Sequence, residues 1–448
     1  MDLTFEFFLK CLKILKYFPK ERNSIVHNYD FVLNEFSPTD LASSKNKKDL
    51  SWLSTLNLLD KNKTLYIGPN VIDLKSYNYI KSKGINVTTL DEFYHSAPRH
   101  IVLLATINAL FEALITSLTF SIFDVYILNI RIHGNLLSKL IISLHCKTYL
   151  VPNSVIWPEK PEIAFLRKKG IKTIVWYYSG VEVFFSARDK FLDRRVKSSI
   201  PVSDFILYWN EESKNQNLAR QIGNKLRKPN FEVIGPLMNG DPNWGNASRK
   251  ELLEALGVDI RFLYLTFFEQ PVVEVDVLAP IHTDWPIGFS EFAICLDLIE
   301  ELLVKYKYLR ILYKGKKVSQ GYLDDSMKRF DWLYNENHPF IKNKRIIFLD
   351  PLIDPFLGIL SGDIGFGPPL TTPVVAREYY AMPSFFYDPN KVAYSSINNS
   401  HLHLVIRNKE KVFSMIDEKY EMIESTGTNM LSIKATAQTL IRLKEVLI

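Results

Sequence analysis

The chain has 448 residues, 47% of them hydrophobic and 23% charged, with a formal net charge of +6 and a pI near 8.8. That length exceeds one ordinary core and predicts two domains of about 200 residues each. The composition excludes a disordered or repeat-built chain, and the mild positive charge favours anionic ligands or an anionic membrane surface without requiring nucleic acid. Cys11, Cys146 and Cys295 lie far apart with no CxxC pair, which excludes a thiolate zinc site and fits a reducing compartment, the cytoplasm.

The first apolar stretch, "LTFEFFLKCLKILKYF", is broken by Glu6, Lys10, Lys13 and Lys16 and is followed by no small-residue cleavage site, so it does not read as a secretory signal. Phe5, Phe8, Leu9, Leu12 and Leu15 recur at helical spacing. Two readings stand side by side: a helix in a membrane interface with its lysines drawn to anionic lipid, or a helix packed on the first domain. A second apolar run covers 100–130. Glu112 and Asp124 interrupt it, which argues against a transmembrane span and for a buried or membrane-resting helix over about 101–122, followed by the strand "VYILNI".

Short β-rich runs then alternate with helical patterns, the signature of parallel βαβ units. In the first half the predicted strands are 64–68, 85–90, 125–130, 147–151, 171–178, 204–209 and 231–235; in the second they are 261–267, 309–314, 345–349, 363–367, 384–388 and 401–406. Between the halves "GPLMNGDPNWGNASRKE" is rich in Gly, Pro, Asn and Asp and reads as a linker. The expected division is therefore 1–235, a linker over 236–251, and 252–448. The fold class that follows is α/β, two Rossmann-like doubly wound domains facing across a cleft lined by the C-terminal strand ends.

The stretch "GDIGFGPPLTTPVVAREYYAMPSFFYDP" carries the densest local signal. A strand ends in a Gly-Pro-Pro bend, Thr372 suits an N-cap, and Pro373 suits the first helical position. The bend aims the helix start at the cleft, where orphan N–H groups and a partial positive charge favour a phosphate oxygen. Glu378, further along, is a carboxylate suited to accept hydrogen bonds from two vicinal sugar hydroxyls. The competing reading is an ordinary βαβ unit with Glu378 solvated or paired to Arg377 or a nearby lysine. Glu269 and Gln270, ending "FLYLTFFEQP", reach the same edge. No Walker A and no GxGxxG fingerprint is present, which weakens an ATP or dinucleotide reading.

The succession "LRILYKGKK", "RIIFLDPLIDPFLGILSGDIGFG" and "PLTTPVVAREYYAMPSFFYD" resembles the nucleotide-sugar-binding domain of GT-B glycosyltransferases, particularly those building bacterial surface polysaccharide and lipopolysaccharide. That group carries a Ser/Thr-Thr-x-x-x-Glu-Ala-x-x-x-Gly-x-Pro element for phosphate and ribose. The resemblance covers roughly the last 190 residues as pattern and the first half as architecture. It implies that Lys314 and Lys316 neutralise donor phosphate, that Leu352 and its neighbours line the base pocket, that Pro369, Thr371 and Thr372 meet the donor, and that Glu378 holds ribose. "YKGKK" stands where the group has a Lys-Pro-His-Pro element, and "YYAMP" lacks its small residues.

Glycosyl transfer needs a base for the acceptor hydroxyl and neutralisation of the departing phosphate. The resemblance places the base in the first domain. His133, after "VYILNI", is one candidate; Glu182 or Asp189 in "WYYSGVEVFFSARDKF" is the other, and the sequence ranks them about equal. No DxD-like cluster suggests a divalent ion, so metal-independent transfer is expected, with no cofactor beyond the nucleotide-sugar substrate. The expected partners are that donor and a glycan or lipid-linked acceptor, on the cytoplasmic membrane face. The alternatives are a nucleotide-sugar epimerase of the same architecture and a catalytically degenerate binding subunit. A nucleic-acid binder is disfavoured because the basic residues are dispersed.

Overall fold

The computed structural model describes residues 28–34, 60–68, 86–95, 134–153, 161–177, 203–209, 229–235, 247–269, 289–315, 330–333, 335–350, 353, 355–369, 371–391 and 403–426, together with single positions at 78, 81, 84, 100, 103, 104, 107, 211, 214, 215, 445 and 446. Among them the strands form two sheets. The first contains β1 (Phe31–Asn34), β2 (Thr64–Gly68), β3 (Asn86–Thr89), β4 (Thr148–Asn153), β5 (Lys172–Tyr177), β6 (Phe205–Tyr208) and β7 (Asn230–Val233) in the order β3-β2-β1-β4-β5-β6-β7. The second contains β8 (Leu263–Phe268), β9 (Leu309–Lys314), β10 (Ile346–Leu349), β11 (Ile364–Gly367), β12 (Ser384–Tyr387) and β13 (Val405–Ile406) in the order β10-β9-β8-β11-β12-β13. Every pairing is parallel. Each order reverses once, between β1 and β4 and between β8 and β11, and ligands of open α/β sheets bind outside the strand ends at such a reversal.

The expectation of two parallel α/β sheets is met, with two differences. β1, the strand on which the first sheet reverses, has no counterpart among the predicted strands. The segment read as a linker holds the start of α3 (Arg249–Ala255), whose N-cap Ser248 and third residue Glu251 form a reciprocal capping box. Leu253 of that helix packs with Tyr264, Leu312 and Leu349, so α3 belongs to the second sheet. The strand predicted at 125–130 lies outside the described residues.

On the first sheet, α1 (Leu90–His95), the helix over 134–143 and α2 (Pro161–Lys168) cover one face. Phe93, Leu140, Ile141, Ile163 and Leu166 pack there on Val32, Ile67, Tyr149 and Val151. The alternate residues Leu33, Tyr66, Leu150, Ile174 and Leu207 are equally buried, as a sheet covered on both sides requires. On the second sheet, α4 (Phe289–Lys305) and α8 (Lys409–Thr426) cover one face through Leu296, Ile299, Leu303, Val412 and Ile416. Phe267 anchors this layer with its ring 5.1 to 5.9 Å from Phe292, Tyr313 and Phe366. A short α5 (Pro339–Lys342), with His338 Nδ1 accepting from the Phe340 N–H, precedes β10. The other face carries α3, α6 (Pro355–Leu360) and α7 (Thr372–Tyr379).

No helix among the described residues is long and apolar enough to cross a membrane. Within the 100–130 run, Leu103, Leu104 and Ile107 are helical and about half exposed, so at these positions the run is not buried as one of its two readings had it.

The inner face under α7 is held by a buried cation. Arg377 donates from Nη1 to the Ile359 and Ser361 carbonyls at 2.7 and 2.6 Å, and from Nη2 and Nε to those of Gly362 and Pro383 at 3.2 Å each. Burial pushes its guanidinium down to about 9 while Asp363 pulls it back up, so it stays protonated through neutral pH. Gly365 in β11 leaves the space it occupies: a β-carbon there would run into Arg377 Cδ and stand 3.0 Å from Phe268 Cε2. Gly365→Ala should therefore lower the unfolding free energy by roughly 1–3 kcal/mol, the usual cost of overpacking, read as a fall in the urea midpoint at unchanged slope.

Candidate functional site

The second sheet reverses between β8 and β11, and the loop leaving β11 is pressed against the end of β8. A β-carbon at Gly367 would stand 2.8 Å from the Phe268 carbonyl oxygen and 2.9 Å from Thr371 Oγ1, so only glycine permits this approach. Pro369 is buried in the bend that follows. Thr371, also buried, has extended dihedrals (φ −77°, ψ 105°) and is the N-cap of α7, with Thr372 the first helical residue and Pro373 the second. This corrects the expected register by one residue, since Thr371 and Thr372 are equally good capping types. The Thr371 side chain makes no cap bond; its hydroxyl donates instead to the Pro368 carbonyl at 2.6 Å. A helix tip without a side-chain cap, at a strand-order reversal, is a place where an anion is stabilised by backbone donors and the helix dipole.

Two charged groups end the neighbouring strands β9 and β8 at the same sheet edge. Lys314 ends β9, its stem 3.5 Å from where a β-carbon of Gly358 in α6 would lie and its ammonium donating to the Gly315 carbonyl at 3.3 Å. Glu269 follows β8, and its backbone N–H donates to the Lys314 carbonyl at 3.1 Å. A β-carbon at Gly315 would stand 3.2 Å from Glu269 Oε2, so the carboxylate lies over a gap in the β9 exit. The edge thus offers a cation, a helix tip and an acid on three adjacent strands.

Glu378 is elsewhere. It sits in the last turn of α7, about 9 Å along the helix axis from Thr372, and its Oε1 lies 2.8 Å from His403 Nε2. His403 precedes β13, at the start of that strand rather than its C-terminal end. This partner is a histidine, a type the competing reading did not name. The structure also fixes the register of the Glu-Ala-x-x-x-Gly-x-Pro element: Ala381 adopts φ 54°, the left-handed conformation of its glycine, and Pro383 follows at the right spacing. The position of the element's glutamate is then Ala376, which is buried.

Ala376 belongs to an apolar cluster with Leu357, Leu360, Tyr380 and Met382, and the same cluster contains Trp209, the residue directly after β6. Trp209, at the exit of the first sheet, is thus part of the apolar cluster that α6 and α7 of the second help to build. At the reversal of the first sheet, Asn34 ends β1 fully buried, donating from Nδ2 to Tyr149 Oη at 2.7 Å, and Tyr149 donates onward to Glu162 Oε1 at 3.2 Å. Asn34 Oδ1 is buried with no hydrogen-bond partner. Sequence reasoning missed this chain because it missed β1; an amide ending an apolar run, "FVLN", was the available signal. His133, Glu182, Asp189, Lys316 and Leu352 lie outside the described residues.

No protein family's sequence profile matches the chain, and no curated protein matches it in sequence. Solved structures with which it shares shape include an α,α-trehalose-phosphate synthase (UDP-forming) from Burkholderia vietnamiensis, at 12% identity and a TM-score of 0.49, covering 95% of this chain and 96% of that one. Anabaena HepE in complex with UDP gives 11% identity and a TM-score of 0.47 over 93% and 96%. The wall teichoic acid polymerase TagF gives 10% identity and 0.45 over 99% and 98%. At these values the likeness assigns neither substrate nor reaction to this chain.

The two placements have consequences of different size for stability. Gly367→Ala should cost roughly 1–3 kcal/mol through overpacking, whereas Glu378→Gln, losing one partly exposed pair, should change stability by less than about 1 kcal/mol. Chemical denaturation of both variants beside the parent protein checks the ordering.

Proposed function

We propose that the chain is a glycosyltransferase that moves a sugar from a nucleotide-sugar donor to a glycan or lipid-linked acceptor in building cell-surface polysaccharide. The observation that carries this reading is the α7 tip at the β8/β11 reversal, whose N-cap Thr371 makes no side-chain cap bond, with Lys314 ending β9 on the other side of β8. Such an edge suits the diphosphate of an activated sugar, with Thr371 and Thr372 at the phosphate and Pro369 forming the wall of the bend. In the transfer, an acceptor hydroxyl attacks the anomeric carbon as the bond from that carbon to the phosphate oxygen breaks, and a first-domain base takes the hydroxyl proton. His133, Glu182 and Asp189 remain the candidates for that base. Lys314 and the helix tip neutralise the charge growing on the departing phosphate. Because these groups are positive in themselves, the reading is metal-independent and needs no cofactor besides the donor.

Attachment to the cytoplasmic face of a membrane belongs to the same proposal. It is supported by the half-exposed Leu103, Leu104 and Ile107, each helical, and by Lys10, Lys13 and Lys16 among apolar residues near the start of the sequence.

One observation favours a second reading, a binding subunit without turnover: the position of the phosphate-and-ribose element's glutamate holds Ala376. A third, epimerisation of the free donor, would proceed without an acceptor.

The test is a thermal-shift series with UDP, GDP and CMP. A nucleotide present at 100 times its dissociation constant stabilises the folded form by about 2.7 kcal/mol, which for a chain of this size raises the midpoint by several degrees. One of the three should do so. No response to any of them overturns the reading, and conversion of a nucleotide sugar to its epimer without acceptor would replace it with the third.

A further inference from the structure

Trp209 directly follows β6, and the backbone there is fixed to the first sheet, since the Tyr208 carbonyl accepts from the N–H groups of Ile234 at 2.9 Å and Gly235 at 3.3 Å. Tyr208 itself packs within that sheet beside Ile206, its ring stacked 5.9 Å from Phe231. The next ring is committed elsewhere. Trp209 is 1% exposed and lies in a cluster whose other members, Ala247, Leu252, Leu357, Leu360, Ala376 and Met382 among them, all come from the second half. Consecutive aromatic residues thus belong to different cores, and among the described residues no other first-half side chain enters this cluster.

One atom of this contact is unfavourable. Trp209 Nε1 is buried and donates to no acceptor, although a buried indole N–H ordinarily finds one. Trp332 shows the ordinary case: it too is 1% exposed, in the core of the second sheet, and it donates from Nε1 to Glu300 Oε1 at 2.9 Å. Burial of the Trp209 ring stabilises the contact through its apolar area, whereas the unmet N–H opposes it, and water meets that N–H once the ring is withdrawn.

We infer that Trp209 is a releasable pin between the two halves of the chain: its ring fastens them together, and its unmet N–H brings withdrawal of the ring within local fluctuation, without unfolding of either sheet. The ring shares its cluster with Ala376 of α7, so release loosens the hold of the first half on the helix whose tip lies at the β8/β11 reversal. Release requires no ligand at that tip.

The experiment follows hydrogen exchange of the indole N–H groups by NMR in the full-length protein carrying isotope-labelled tryptophan, the two signals being assigned by their loss in Trp209→Phe and Trp332→Phe. Trp209 should exchange at least about 10-fold faster than Trp332, the factor that one unmet buried donor contributes. Its rate should respond weakly to low urea, because withdrawal exposes far less surface than unfolding. In the parent protein the backbone amides of β4 and β5 should lose protection in the same urea transition as those of β8 and β11, and in Trp209→Ala the two sets should separate. Trp209→Leu, which keeps a smaller apolar side chain, takes its place if the alanine variant does not fold. Equal exchange of the two indoles, or exchange of Trp209 with the full urea dependence of global unfolding, overturns the release. Halves that already unfold separately in the parent, or that still unfold together in the variant, overturn the fastening.

Discussion

Placing a guanidinium in the interior of the second sheet is costly unless each N–H meets an acceptor and the charge meets a countercharge. Arg377 makes four hydrogen bonds to backbone carbonyls and has Asp363 nearby as the countercharge. The carbonyls of Ile359, Ser361 and Gly362 come from the end of α6 and the turn into β11, and that of Pro383 comes from the entry to β12. Asp363, at the start of β11, is itself held by Arg249 at 2.6 and 3.0 Å and by the Tyr264 N–H at 2.9 Å. One side chain of α7 thus ties together α6, β11 and β12, while Arg249 ties α3 to the same corner. The direction of α7, and with it the position of its tip at the β8/β11 reversal, depends on this corner. Gly365 and Gly367 are the two places where the backbone makes room, the first for the Arg377 stem and the second for the loop that leads to the helix.

The same helix has a second set of constraints on another face. Ala376 lies in the apolar cluster that takes in Trp209 from the exit of the first sheet, together with Leu357, Tyr380 and Met382. A carboxylate at 376 would have to be desolvated there without an evident cation, since Arg377 already spends its donors on carbonyls. Alanine at this position and tryptophan at 209 are therefore consistent with each other: the small residue permits an apolar contact between the two halves. Glu269, directly after the reversing strand, lies one step beyond the level at which Phe268 pairs with Lys314.

Much of the second half was legible because its central strands are continuous apolar runs bounded by turn residues. "LRILYK" corresponds to β9 at both ends, and "RFLYLTF" and "SFFYD" to β8 and β12 within two residues. The site was less legible because helical register is unforgiving. Two residues turn a helix by about 200°, so an acid at 378 and a position at 376 face nearly opposite ways, one to His403 and the other into the apolar cluster. Two adjacent threonines left the helix start open to one residue of slip, and the dihedrals of Thr371 decided it. β1 was illegible for a different reason: it is four residues long, with Asp30 before it and Asn34 at its end, so only three apolar side chains mark a strand that pairs on both sides.

The two reversals differ in a way that bears on the division of labour between the halves. At the second, the side chains of Lys314 and Glu269 stand at the strand ends. At the first, Asn34 is fully buried and leads through Tyr149 to Glu162, which begins α2 where the helix dipole favours a negative charge. Only one carboxylate enters that chain, and it is remote from the strand end; the group at the reversal itself is a neutral amide with an unpaired oxygen. A neutral acceptor atom in a dry setting discriminates by hydrogen bonding rather than by charge, because leaving it unmet costs about 1–3 kcal/mol. The first reversal thus carries a buried neutral amide, and the second carries a lysine and a glutamate at its strand ends.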